Sequence, residues 1–315
     1  MHRGRIKRIA IGITIVFIVL IVAALVYGEM RFGLVRAGTP ESHDRFVTDT
    51  TRARILIRPL MAQNLFDAWF PSERKPPTWL LTRVLPHEVA FVFSPDIQAG
   101  TSGLTLYVNE QRFGPVVADV VNQSGFIGQY DFLQWKRGGL TMEHRGSLAA
   151  HGTLQIPSPV ADTARRNWGI VQGLEPLEVE GTHFFEAIFD NRDGGAFALM
   201  CSLYSYGVLG EPQVPLEDEY ETFLPIASIH VTADATASGE VQLIVTLKST
   251  PSAREADIDA NAFYLDIASG EVTRVLREAY GAELRGRAFT EGTTVTGRYT
   301  IKNVEGIIST LLAAQ

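Results

Sequence analysis

Residues 9–27, IAIGITIVFIVLIVAALVY, run for about 19 residues without a charge, long enough to cross a bilayer core of roughly 30 Å as a helix. Thirteen of them are Ile, Leu, Val or Phe. At roughly −0.3 to −0.6 kcal/mol each near a helix centre, they favour insertion by about 4 to 8 kcal/mol as an upper bound. Arg3, Arg5, Lys7 and Arg8 precede the run, and only Arg31 and Arg36 follow within ten residues. The positive-inside rule therefore puts the N-terminus in the cytoplasm and residues 28–315 outside it.

A cleaved secretory signal is the competing reading, because a basic segment, an apolar run and the small residues Ala23 and Ala24 fit that pattern as well. The run is longer than the ~7 to 15 residues of a signal core, and no well-formed A-x-A site follows it. A retained single-pass anchor is the expectation. No Cys stands at the end of the run to accept a lipid.

The remaining residues, about 285, suffice for one large domain or two ordinary ones. Apolar content of 46% and charged content of 20% are those of a folded protein. The one cysteine, Cys201, excludes an intramolecular disulfide and lies in the apolar run AFALMCSLY, where a buried inert thiol is expected. Residues 29–83 carry nine Lys or Arg against six Asp or Glu, a balance of +3, whereas residues 84–315 carry fifteen against twenty-nine, a balance of −14. That acidity argues against nucleic acid as a partner.

The chain divides on this reading into a basic stub and anchor (1–28), a juxtamembrane linker with an amphipathic helix (29–83), a first half (84–215) and a second half (216–315). Within the linker, Leu60, Met61, Leu65, Phe66 and Trp69 share one face of a helix beginning near Pro59, with the domain as the expected place to bury it. EVAFVFS and LTLYVNE read as an antiparallel pair of strands, PVVADVVNQSG as a helix opened by Pro115, and GLTMEHRGSLAAHGTLQIP as strands around Arg145-Gly146. EGTHFFEAIFDNRDGGAFALMCSLYSYG reads as a hairpin turning at DNRDGG. GEPQVPLEDEYE marks the boundary between the halves. Beyond it, LPIASIHVTADATASGEVQLIVTLKS parallels LPHEVAFVFSPDIQAGTSGLTLYVNE after a one-residue shift, which suggests a duplicated hairpin-led unit. EVTRVLREAYGAEL then reads as a helix, RGRAFTEGTTVTGRYTI as a hairpin turning at Glu291-Gly292, and NVEGIISTLLAA as a short amphipathic helix. The fold class expected is α+β: a single N-terminal transmembrane helix, then antiparallel hairpin-rich sheets with packed helices, arranged as two related halves.

Three constellations bear on chemistry. His144, His151 and His183 with Glu186 are normal zinc-ligand types, but His144 and His151 fall on opposite faces of a straight strand. Asp190, Asn191, Asp193 and Gly194 resemble half of a calcium loop, yet Cys201 stands where the bidentate Glu is required, so an exposed turn is expected. Glu217, Asp218, Glu219 and Glu221 around Tyr220 form an acidic run, read as a solvated linker. No nucleophile elbow, Walker loop or H-E-x-x-H motif occurs. The expected function is an anchored extracytoplasmic binding or structural module, with the membrane (through 9–27) and other envelope proteins as partners and no cofactor or metal. The alternative is an anchored envelope hydrolase or metal-dependent enzyme, for which His144, His151, His183 and Asp190 are the catalytic candidates.

Overall fold

The structure, a computed structural model, describes residues 42–63, 65, 77, 81, 85–96, 98–109, 141–144, 148–155, 178, 181–191 and 226–307. Its centre is the strand Ala53–Ile57 (β1), which lies in the stretch read from sequence as linker and helix start. In RARILIR every second position is β-branched or Ala, and such side chains suit a pleated, half-buried surface. β1 pairs antiparallel on one side with Glu88–Asp96 (β2), Ile55 facing Phe91, and on the other with Phe185–Asp190 (β6), Ile55 facing Ala187.

From this pair the sheet grows outward in both directions. One wing adds Thr101–Asn109 (β3), then Leu148–Gln155 (β5) and Thr141–His144 (β4). The other adds Ile226–Ala235 (β7), Val241–Ser249 (β8), Thr294–Lys302 (β10) and Glu283–Glu291 (β9). The result is one ten-stranded sheet among the described residues, antiparallel at every pairing. Counted outward from the centre, both wings run first, second, third, fifth, fourth in chain order. β2–β3 and β7–β8 hold equivalent places in the strand order, and β7 carries a bulge between Ile226 and Ser228.

The described residues contain one long helix, Glu255–Tyr280 (α1), between β8 and β9. Asp257 accepts the Arg254 N–H at its start, and Gly281 closes it at φ 65°, where only glycine is unstrained, while the Ala282 N–H reaches back to the Leu276 carbonyl. Its Ile258, Ala262 and Leu265 pack on Ile226, Ile229, Leu247, Val295 and Ala288 at the back of the second wing. Ala62 and Leu65, from the segment expected to bury its apolar face on the domain, join Ala233, Val241 and Val304. The front of the first wing is covered by the 3-10 turn His43–Phe46, whose Phe46 packs on Tyr107 above Leu56 and Ala90.

These findings correct the expected fold class. The chain forms a single β-sheet with one long helix, rather than an α+β arrangement of two packed halves, because β1 and β6 hydrogen-bond to each other and weld the wings into one layer. In the stretch 180–207 expected as a hairpin, β6 pairs with β1 on one edge and β7 on the other, and the run after DNRDGG lies outside the described residues. Over 59–62 the structure has a 3-10 turn, with helical residues at Gln63 and Leu65. The apolar run 9–27, the expected helix from Pro115, Cys201 and the acidic run 217–221 lie outside the described residues. Among those described, no helix is long and apolar enough to cross a membrane.

Candidate functional site

Arg54, Leu56 and Arg58 alternate along β1 and its extension, so they project from the front of the sheet. The Arg58 N–H bonds to the Phe184 carbonyl at 2.7 Å, which carries the ladder one residue past the strand. The β1–β2 register then brings Glu88 beside Arg58, and the β1–β6 register sets Glu186 opposite Leu56. Two carboxylates thus flank one guanidinium.

The contacts form a chain across four strands. His43 Nδ1 lies 2.6 Å from Glu88 Oε1, and Arg58 Nε donates to Glu88 Oε2 at 3.2 Å. Arg58 Nη1 donates to Glu186 Oε2 at 3.1 Å and to the His183 carbonyl at 3.0 Å. Glu186 Oε2 also accepts the Gly181 N–H at 3.1 Å, while its Oε1 lies 3.2 Å from His230 Nε2 on β7. His183 Nδ1 sits 2.7 Å from Asp234 Oδ2. Glu186 is fully buried, and His43 and Arg58 nearly so. Asp44, on the covering turn, stands 3.8 Å from Arg54.

Burial pulls the Arg54 guanidinium below its ordinary value, and the attractions of Asp44, Glu186 and Glu178 recover only part of that. For Glu88, burial alone would raise the carboxyl, but the hydrogen bond to His43 and the charge of Arg58 outweigh it and hold Glu88 below its usual range. Arg58 stands between the carboxylates of Glu88 and Glu186, so opposite charges face one another where water does not. Chemically, the arrangement clamps β2, β1, β6 and the His43 turn together, and it ends in imidazoles at both sides.

Of the residues nominated from sequence, His183 and Glu186 meet here. Asp190 ends β6 and is buried, its N–H bonded to the Arg52 carbonyl at 2.7 Å, and the Asn191 side chain donates to the Ile226 carbonyl; the exposed turn expected at these two positions is a packed strand end. His151 faces Thr141 and His144 faces Leu148, three residues along, so the two occupy opposite faces. β5 stands four strands from β6, roughly 19 Å at the usual strand spacing, which separates His151 from His183. Among the described residues no group of three His, Cys, Asp or Glu is placed to hold a metal ion. The sequence reading missed Arg54, Arg58, Glu88, His43, His230 and Asp234. The available signal was the spacing of Arg52, Arg54 and Arg58 around apolar residues, a strand alternation with its charged side inward.

No family model and no curated protein matches the chain. Among solved structures, crystal form III of TP0453 is similar at a TM-score of 0.35 and 10% identity, covering 83% of this chain and 94% of that one. Crystal form I of TP0453 is similar at a TM-score of 0.35 and 11% identity, covering 84% and 94%.

Proposed function

We propose that the chain is a single-pass membrane protein with a cytoplasmic N-terminus, holding its sheet domain outside the cytoplasm as a non-enzymatic binding or structural module of an envelope assembly. The observation that carries this reading is the uncharged run 9–27 with Arg3, Arg5, Lys7 and Arg8 ahead of it. Only residues 28–41 separate that run from the first described residue, a reach of roughly 50 Å at full extension. A domain on such a tether works within a short distance of the lipid. Supporting it, Glu186 is bonded to Arg58, Gly181 and His230, and His183 to Asp234, so these groups hold the sheet.

The test is in-cell crosslinking followed by mild-detergent isolation of the full chain beside one beginning at Thr39. The reading expects a stoichiometric envelope protein with both chains if the sheet domain binds it, or with the full chain alone if the helix does. Absence of any partner contradicts it.

A second reading, an anchored hydrolase, draws on the His183–Asp234 pair, since a carboxylate that orients an imidazole is the arrangement a general base needs. It predicts an activity on envelope substrates that His183→Ala abolishes and Asp234→Asn lowers.

A further inference from the structure

On the front of the second wing, over β8, β10 and β9, Lys248, Arg285, Arg287, Phe289 and Arg298 are exposed. Cross-strand register puts Lys248, Arg298, Arg285, Arg287 and Lys302 on it, with Gln242, Thr246, Thr296, Thr300 and Phe289 between them. Its own carboxylates are Glu283 and Glu291. Glu283 is engaged by Arg285 at 2.7 Å and by Arg277 at 3.2 Å, and Lys302 reaches Glu240 at 3.2 Å. Lys248, Arg287 and Arg298 are exposed and make no ion pair with another described residue.

Arg287 and Arg298 are direct cross-strand partners. Like charges at that position oppose strand pairing. Arg298 also stacks over the exposed ring of Phe289 at 5.2 Å and is itself exposed. Two guanidiniums set side by side on a rigid ladder form an arrangement that an oxyanion between them relieves, because both can donate to it. The helix on the opposite face carries Glu255, Asp257, Asp259, Asp266, Glu271 and Glu278 against Arg274 and Arg277, so the wing is polarised through its thickness.

We propose that this face docks on anionic lipid headgroups, with Lys248, Arg287 and Arg298 meeting their phosphates. The occupant follows from the tether: the proposal rests on the anchored reading above, under which lipid is the anionic surface always within reach. β10 stands four strands from β1, roughly 19 Å, well inside the reach of residues 28–41. Residues 84–315 total −14, but screening over about 8 Å at physiological salt makes the nearest charges decide, and those are basic.

The test uses the full chain with Cys201→Ser and Thr293→Cys, a donor dye on Cys at 293, reconstituted in nanodiscs of phosphatidylcholine with or without phosphatidylglycerol and carrying a headgroup acceptor. The expected result is strong energy transfer on phosphatidylglycerol that falls with added salt and is weak on phosphatidylcholine. K248E/R287E/R298E lowers the docked-to-free ratio by at least about a hundredfold, since each reversal removes an attraction and adds a repulsion, and R287K/R298K retains it, since headgroup attraction needs the charge. Equal transfer on both lipids, or a charge-reversed variant that docks as before, overturns the proposal. Flotation of the same protein with phosphatidylcholine vesicles after alkaline carbonate reports separately on the anchor: if it is lost there while phosphatidylglycerol vesicles still capture the protein, the anchored reading fails and the docking face stands.

Discussion

Arg58 shares its two neighbouring carboxylates inside the sheet, and each of the three groups depends on the others to remain charged without water. Removing one partner leaves an uncompensated buried charge. Glu186→Gln is expected to cost about 3–5 kcal/mol of unfolding free energy, measured by urea denaturation at neutral pH. Glu88 adds a pH dependence. Its carboxyl is held below the ordinary value near 4.5, so its favourable contribution is fully present above that value and is lost as pH falls through the folded one. The stability gap between the native chain and Glu88→Gln should be open at about pH 7 and should narrow steadily as pH falls below the ordinary carboxylate value in paired urea titrations. This residue-scale network was the least legible part of the sequence. Burial inverts the usual meaning of Arg52, Arg54 and Arg58, which read as a polar, membrane-proximal stretch because arginine is rarely inside unless paired, and the carboxylates that pair with Arg58 lie 30 and 128 positions away.

At the scale of elements, β1 organises everything around it. Leu56 has no exposed surface and lies under Phe46 with Ala90 and Tyr107, joining β1 to β2, β3 and the covering turn. Leu56→Ala should destabilise the protein by about 2–5 kcal/mol in chemical denaturation, through lost burial and the cavity left behind. Elements whose signals are local were legible: β2–β3, β4–β5 and β9–β10 each close through turn residues in the sequence, and Gly292 at φ 58° makes the last turn where Glu291-Gly292 was read. The helix was read only over its second half, since Asp257, Asp259, Asn261 and Asp266 weaken the pattern of its first half and Phe263, Tyr264 and Ile267 lie exposed there. The partners of β6 were hidden for a different reason. This run is apolar because β1 and β7 bracket it, and a strand bonded on both edges has the same composition as one in a buried hairpin.

For the whole molecule, the topology is the feature that local patterns express least. The longest-range join, β1 with β6, rests on register across 132 residues, from Ile55 to Ala187, and leaves no turn signal. The likeness of 85–110 to 224–249 did not mark two packed halves, since both stretches lie in one continuous sheet, β2–β3 on one wing and β7–β8 on the other. The sheet explains how one domain can present a clamped centre and an open basic wing. The proposed anchor at 9–27 would hold it at a membrane surface. The measurement that tests this account most directly is labelling of single cysteines in intact cells by a membrane-impermeant maleimide, in the Cys201→Ser background, at His2→Cys and at the exposed hairpin position Thr293→Cys. The account predicts that position 293 reacts once the outer barrier is opened, that position 2 reacts only after the cytoplasmic membrane is broken, and that the full-length protein stays in the membrane fraction. Reaction at position 2 with protection at 293, or a soluble protein shortened at its N-terminus, would contradict it.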